Sequence, residues 1–271
     1  MLSVMTNNAS NIAQNAVTKN NDLLSNAMER LSTGLRINSA SDDAAGLQIA
    51  TRLNANVTGM ETANRNVSDA TSMLQTADGA LDELNNIASR QKELATQAAN
   101  GVNSAEDIKA LGAEYKELNA EANRIIDSTE YGGNKLFTAL DTGVGFQIGA
   151  SNTASEQLTV KTDVAAVKTL FAGEITDSAT AKAQIDNVDA IIDAVGTQRS
   201  NLGASINRLG HTASNLTNVT ENTKAAAGRI MDTDFAVETA AMTKNQLLVQ
   251  AGTNILSSSN QNTGLVMGLL G

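Results

Sequence analysis

Residues 185–220, IDNVDAIIDAVGTQRSNLGASINRLGHTASNLTNVT, place Ile185, Val188, Ile192, Val195, Arg199, Leu202, Ile206, Leu209, Ala213, Leu216 and Thr220 in alternating steps of three and four. Only Arg199 and Thr220 interrupt the stripe. This is the spacing of helices that meet along a narrow apolar seam. Sustained over the segment, it predicts one helix of about 50 residues, about 75 Å long at the α-helical rise. A helix of that length cannot bury its stripe against itself. It needs partners of comparable length elsewhere in the chain.

Three other stretches supply them. Ala13, Val17, Asn20, Leu24, Ala27 and Leu31 form a seam near the N-terminus. After a loop with Ser39, Ser41, Asp42 and Asp43, a long helix is predicted from about Ala44. Its seam runs through Leu53, Val57, Met60, Val67, Ala70, Leu74, Ala77, Leu81, Leu84 and Ala88. Ser104 and Asp107 have the spacing of a capping box, and Ile108, Leu111, Tyr115, Leu118, Ala122 and Ile125 follow in heptad steps. Between the third and fourth helices the period falls to two. Phe146 and Ile148, then Leu158 and Val160, flank the turn-rich GASNTASE and predict a β-hairpin at about 144–162. The fold class is therefore mainly α: a long antiparallel helical rod, coiled-coil-like, with a small β-hairpin region and paired terminal helices.

Composition agrees with narrow seams. Among 271 residues there is no Pro, Trp or Cys, aromatics are 2%, and the apolar content lies in Ala, Leu, Ile, Val and Met. A formal charge of −10 with no basic run argues against a nucleic-acid partner. No segment approaches the length of a membrane span, so membrane insertion is not expected. The N-terminus lacks the basic and apolar regions of a cleaved signal peptide. A single histidine, His211, with no cysteine cannot build the usual zinc site. It reads as a solvated surface residue. With no nucleophile–base set and no phosphate loop, neither an enzyme nor a cofactor is expected. Asp42–Asp43 and Asp232–Asp234 read as helix-start signals.

The two ends are unusual. Residues 1–18 and everything after Lys244 carry no Lys, Arg, Asp, Glu or His. Yet residues 230–256 are apolar around much of the predicted helix, including Phe235, Val237, Ala240, Met242, Leu247, Leu248, Val249, Ile255 and Leu256. The N-terminal helix covers only one side of such a helix, which points to copies of the same chain as the remaining cover. In a repeated, tightly packed interface a charge faces its own symmetry copies. Neutral Asn, Gln, Ser and Thr avoid that repulsion. Folding of these ends is then coupled to assembly. Val17, Leu24, Leu31, Phe235, Met242, Leu248, Val249, Ile255 and Leu256 are the expected polymerisation core.

The segments ERLSTGLRINSASDDAAGLQIATRL (29–53), RNVSDATSMLQTADGALDEL (65–84), RSNLGASINRL (199–209) and GRIMDTDFAVET (228–239) closely resemble bacterial flagellins, and FQIGA with QLTVKT resembles that family's hairpin. The resemblance covers nearly the whole chain in order. It implies a short form without the variable outer domains, a subunit that polymerises helically into the flagellar filament for swimming. By the same resemblance, 1–40 and 230–271 are the two halves of an inner-tube domain. Residues 41–178, with the hairpin, and 179–229 make the rod domain of an outer layer.

Export through the flagellar type III apparatus to the cell exterior is also implied, with the flagellar export chaperone, filament cap and hook–filament junction proteins as partners. A junction protein of the same superfamily is the alternative. The final GLVMGLLG lacks the Pro and terminal Arg common in relatives. Arg90, Leu94 and Glu114 match positions through which some flagellins engage the innate receptor TLR5. Lys92 departs from the commoner Arg there, and an ammonium cannot reproduce a bidentate guanidinium contact.

Overall fold

The structure, a computed structural model, describes the backbone of residues 7–270 and the side chains of residues 7–261. The elements, in chain order, are α1 (Asn8–Thr33), α2 (Ala44–Ala98), α3 (Ala105–Ser128), β1 (Glu130–Tyr131), β2 (Asn134–Lys135), α4 (Leu136–Thr142), β3 (Val144–Gln147), β4 (Gln157–Val160), α5 (Val164–Leu170), α6 (Ser178–Met231) and α7 (Phe235–Leu270). The long helices begin and end where the sequence signals stand. Asn7 caps α1 through Ser10 N, and Gly34 ends it in the left-handed conformation at φ 73°. Asp43 Oδ1 accepts from Gly46 N at 2.8 Å at the start of α2, while Asp42 turns back onto the N–H groups of Asn38 and Ser39. Those two donors hold the Asp42 carboxyl below its ordinary range. Ser104 and Asp107 form the reciprocal capping box of α3. Asp234 Oδ1 accepts from Ala236 N and Val237 N at the start of α7.

By compactness the chain divides into two units, one of α1, the start of α2, the end of α6 and α7, the other running from Asn56 to Glu221. The division falls at 55/56 and 221/222, inside α2 and α6. A continuous helix can serve one packing cluster with its first turns and another with the rest.

The 56–221 unit has a single apolar core. Val67, Leu74, Leu81 and Leu84 of α2, Ile108 and Tyr115 of α3, and Val188, Val195, Leu202 and Leu209 of α6 are all buried in it. Arg199, which breaks the heptad pattern, is explained by pairing: its guanidinium meets Asp78 at 2.9 Å and Asp82 at 2.6 Å on α2. β3 and β4 pair antiparallel, with Val144 opposite Val160 and Phe146 opposite Leu158. The hairpin loop rests on α2, where Ala150 lies against Gly59.

Three features have no counterpart in the periodicity. β1 and β2 form a two-residue ladder around Gly132–Gly133, both at positive φ. The short α4 supplies Leu136, Phe137 and Leu140 to the core, and α5 supplies Val164 and Val167. Asp141, at the end of α4, accepts from Thr162 Oγ1, Val164 N and Ala165 N and so fixes the start of α5.

Glycines in these helices divide by environment. A Cβ at Gly112 would lie 2.3 Å from the Ile175 carbonyl oxygen, whereas one at Gly203 meets nothing within 4 Å. Gly112→Ala is therefore expected to destabilise the soluble subunit by about 1–3 kcal/mol, as overpacking does. Gly203→Ala should stabilise it by about 0.4–1 kcal/mol. Thermal unfolding of the two variants beside the parent checks both signs.

Tyr115 is fully buried and its hydroxyl donates to Gln184 Oε1 at 3.2 Å. Burial pushes its pKa up to about 12. The protonated form is favoured in the folded state, so this contribution is intact below the unfolded tyrosine value near 10 and is lost as pH rises toward 12. An ultraviolet alkaline titration should show one of the two tyrosines ionising only with unfolding.

Candidate assembly surface

The chain reverses between α1 and α7 through backbone pairing. Leu35 bridges Asp232, Arg36 N donates to Met231 O at 2.6 Å, and Thr233 N donates to Gly34 O at 3.0 Å. The Arg36 guanidinium closes the junction on Ile230 O at 2.8 Å. At the far end of the pair, Asn7 Nδ2 donates to Ser259 O, Ser259 Oγ donates to Asn7 Oδ1, and Ser10 Oγ donates to Asn260 Oδ1, each at 3.2 Å. These contacts are neutral. An ion pair, Arg30–Glu238 at 3.8 Å, lies near the junction.

Between those ends the helices meet through small residues. Ala13 and Ala27 are buried, and a Cβ on Gly252 would come within 2.5 Å of Val17 Cγ2. Of the nine residues expected at a polymerisation core, Val17, Leu24, Leu31, Met242, Val249 and Leu256 are half-buried at seven-residue spacings on the two helices. They line the seam within the chain. The other three, Phe235, Leu248 and Ile255, are exposed.

Ile12, Leu23 and Met28 of α1 and Val237 and Leu247 of α7 are exposed with them, at 70%, 43%, 48%, 64% and 60%. Sequence reasoning did not single out the α1 members, because a seam count selects the residues that face inward. The signal that finds them is large apolar side chains off the seam of the terminal helix. Side chains left this far in water forgo on the order of 1 kcal/mol each relative to burial. The residues of GLVMGLLG lie outside the described side chains.

Arg90, Leu94 and Glu114 fall in the 56–221 unit. Arg90 Nε and Nη2 donate to Glu114 Oε1 at 3.1 and 2.7 Å, and Nη1 donates to Glu93 Oε2 at 2.9 Å. These acceptors raise the Arg90 pKa above its ordinary value, with Glu114 first. Arg90 and Glu114 are about half exposed, but Leu94 is 1% exposed and packs into the subunit's own core. The structure thus brings Arg90 and Glu114 together at the surface and keeps Leu94 in the core. Just beside them, Gln91 is fully buried with Nε2 donating to Asn119 Oδ1, and Lys92 pairs with Asp189. His211 is exposed. Among the described residues no group of three His, Cys, Asp or Glu is placed to hold a metal ion, and no helix is long and apolar enough to cross a membrane.

An α-helical subunit whose terminal helices leave large apolar side chains uncovered belongs to the class of structural proteins that assemble with copies of themselves. A family model for the bacterial flagellin N-terminal helical region matches residues 4–142, and one for the bacterial flagellin C-terminal helical region matches residues 185–270. The flagellin of Halalkalibacterium halodurans is 43% identical over 246 residues, 90% of each chain. Flagellin D of Vibrio cholerae is 32% identical and aligned over the whole of both chains. That alignment runs over 375 positions against 271 residues here, so this chain lacks a long segment its relative carries. The crystal structure of Bacillus cereus flagellin, 36% identical, matches with a TM-score of 0.50 over 60% of this chain and 94% of that one. The chain belongs to the bacterial flagellin family, in a short form, and is a structural subunit of the flagellar filament.

Proposed function

We propose that α1 and α7 form the assembly core of the filament, an inner layer in which each subunit's uncovered apolar faces are buried by its neighbours. The observation that carries this reading is the exposure of Ile12, Phe235, Val237, Leu247 and Ile255 on two helices whose far ends, before Lys19 and after Lys244, carry no charge. The 56–221 unit, with a complete core of its own, supplies the outer layer. Val17, Leu24, Leu31, Met242, Val249 and Leu256 hold the helix pair, and Phe235, Leu248 and Ile255 meet adjacent copies. Export of the unfolded chain to the cell exterior follows from this role, with the export chaperone, filament cap and junction proteins as partners.

Full-length protein carrying Leu247→Asp and Ile255→Asp, and a chain lacking 230–271, are expected to stay soluble under polymerising salt where the parent forms filaments in negative-stain electron microscopy. Circular dichroism should show the helical content of the 56–221 unit retained in both. Filaments as abundant as the parent's from either variant would sink the assignment.

The free subunit also serves as a ligand of TLR5, through the surface ion pair Arg90–Glu114. Support comes from the bidentate use of one carboxylate oxygen on the neighbouring helix, which presents a guanidinium in fixed orientation. Arg90→Ala and Glu114→Ala should each lower receptor activation in a reporter cell assay without changing filament yield. Unchanged activation in both removes this surface from the receptor reading.

A further inference from the structure

The α2–α3 turn contains Asn100–Gly101, the sole Asn–Gly step in the sequence. Asparagine followed by glycine is the pairing in which a backbone nitrogen most easily reaches the side-chain amide carbon, since the following residue has no Cβ to obstruct it. Whether the reaction runs in a folded protein depends on the freedom of that nitrogen and on access to water. Both are met here. Asn100 and Gly101 are exposed, and a Cβ placed at Gly101 has no neighbour within 4 Å. Among the described residues the Gly101 N–H makes no hydrogen bond, although Asn100 N and Asn103 N on either side do.

The side chain is also arranged for the step. Val102 N donates to Asn100 Oδ1 at 3.3 Å. When the Gly101 nitrogen attacks Asn100 Cγ, negative charge develops on Oδ1, and a backbone N–H already aimed at that oxygen stabilises it.

The chain's two Asn–Ser steps provide an internal contrast. Ser39 N is held by Asp42 Oδ2 at 2.9 Å, and Ser104 N by Asp107 Oδ2 at 3.0 Å. Each nitrogen is tied to a carboxylate and must break a charge-assisted bond before it can attack. Asn38 and Asn103 are protected by the caps that start α2 and α3, and Asn100 has no such protection.

We propose that Asn100–Gly101 is a site of spontaneous covalent conversion, in which asparagine becomes aspartate and isoaspartate through a cyclic imide. The Gly101 nitrogen loses its proton to hydroxide and bonds to Asn100 Cγ. The Cγ–Nδ2 bond breaks, and ammonia leaves with a proton from water. Water then opens the five-membered imide at either carbonyl, giving an aspartyl or an isoaspartyl linkage. The net change is one water consumed and one ammonia released, with no redox step. The product places a carboxylate at the C-terminal end of α2, against the negative end of the helix dipole. It stands in the surface concavity that Asn100 lines with Ser89, Lys92, Glu93 and Gln97. Aged subunits thus differ in charge from newly made ones on that face.

The test is incubation of the full-length soluble chain at physiological temperature, at neutral and at mildly alkaline pH. Tryptic mass spectrometry then follows the peptides between Lys92 and Lys109 and between Arg36 and Arg52, with isoaspartyl methyltransferase labelling to identify the linkage. Conversion at Asn100 should rise with hydroxide concentration and exceed that at Asn38 and Asn103 by at least about tenfold, the factor that breaking one charge-assisted hydrogen bond imposes. Gly101→Ala should slow it by about an order of magnitude through hindrance by the added Cβ. Circular dichroism confirms that the variant folds. Gly101 is not at positive φ, so alanine is tolerated there. An unchanged Asn100, equal rates at the three asparagines, or equal rates in parent and Gly101→Ala would overturn the proposal.

Discussion

Helices α1 and α7 carry more apolar surface than they can bury against each other. Their seam is made of small residues, with Ala13 and Ala27 buried and Gly252 so close to Val17 that a Cβ there would collide. Close approach of two backbones leaves the large side chains at the margins of the seam or on the outer faces. Phe235 and Ile255 are both more than half exposed. Two helices joined this way are a complete hydrogen-bonded unit and an incomplete hydrophobic one. On the assembly role proposed for these helices, burial of those faces becomes available only when copies of the chain meet. Neutral polar residues such as Asn7, Ser10 and Ser259 meet the hydrogen-bonding needs of the pair without adding charges that would repeat at every subunit.

The 56–221 unit has the opposite character. Most of its leucines and valines are buried, its ion pairs lie at the surface, and its exposed large hydrophobics are few, Val102 and Val219 among them. Surface pairs such as Arg124–Glu121 and Lys168–Asp127 each add little to stability. The unit is held by its heptad core, so it can keep its structure whether or not neighbours are present. Self-sufficiency in one unit and dependence in the other separate folding of the subunit from its incorporation.

The long helices were legible in the sequence because heptad spacing is a local signal repeated many times. Val67 through Ala88 and Val188 through Leu216 fall where that count puts them. What escaped depends on contacts distant in the chain. α5 is only seven residues long, and its start is fixed by Asp141 from another element, a bond that no local pattern announces. Gly112 reads as an ordinary helix-weakening residue until the Ile175 carbonyl is seen against it. The burial of Leu94 escapes a local count for a related reason. The counted α2 seam stops at Ala88, before the polar Gln91, and yet Gln91, Leu94, Ala95 and Ala98 are all buried. Missing charge singles out the chain ends in the sequence, but not the faces they leave uncovered. Which side chains those faces present depends on which ones the small-residue seam excludes.

Polar residues within the heptad seams have a physical role that their cost makes clear. Gln91 is wholly buried, and its Oε1 accepts no hydrogen bond among the described residues, an expense of about 1–3 kcal/mol for such a group. Its Nε2 nonetheless meets Asn119 Oδ1 at 2.8 Å, and Asn119 Nδ2 meets Gly173 O at 2.7 Å. Arg199 is fixed in the same manner by Asp78 and Asp82. Seams of Ala, Leu and Val alone tolerate sliding by one heptad, since each register buries nearly equivalent side chains. A slip by seven residues would strand Gln91 and Asn119 in the core without each other and set Thr71 and Gln75, or Asn85 and Ser89, in place of the two carboxylates that hold Arg199. Polar pairs at single seam positions are a known way to specify register at some loss of stability. Here they tie α2 to both α3 and α6, so that a core built from interchangeable aliphatic residues has one alignment.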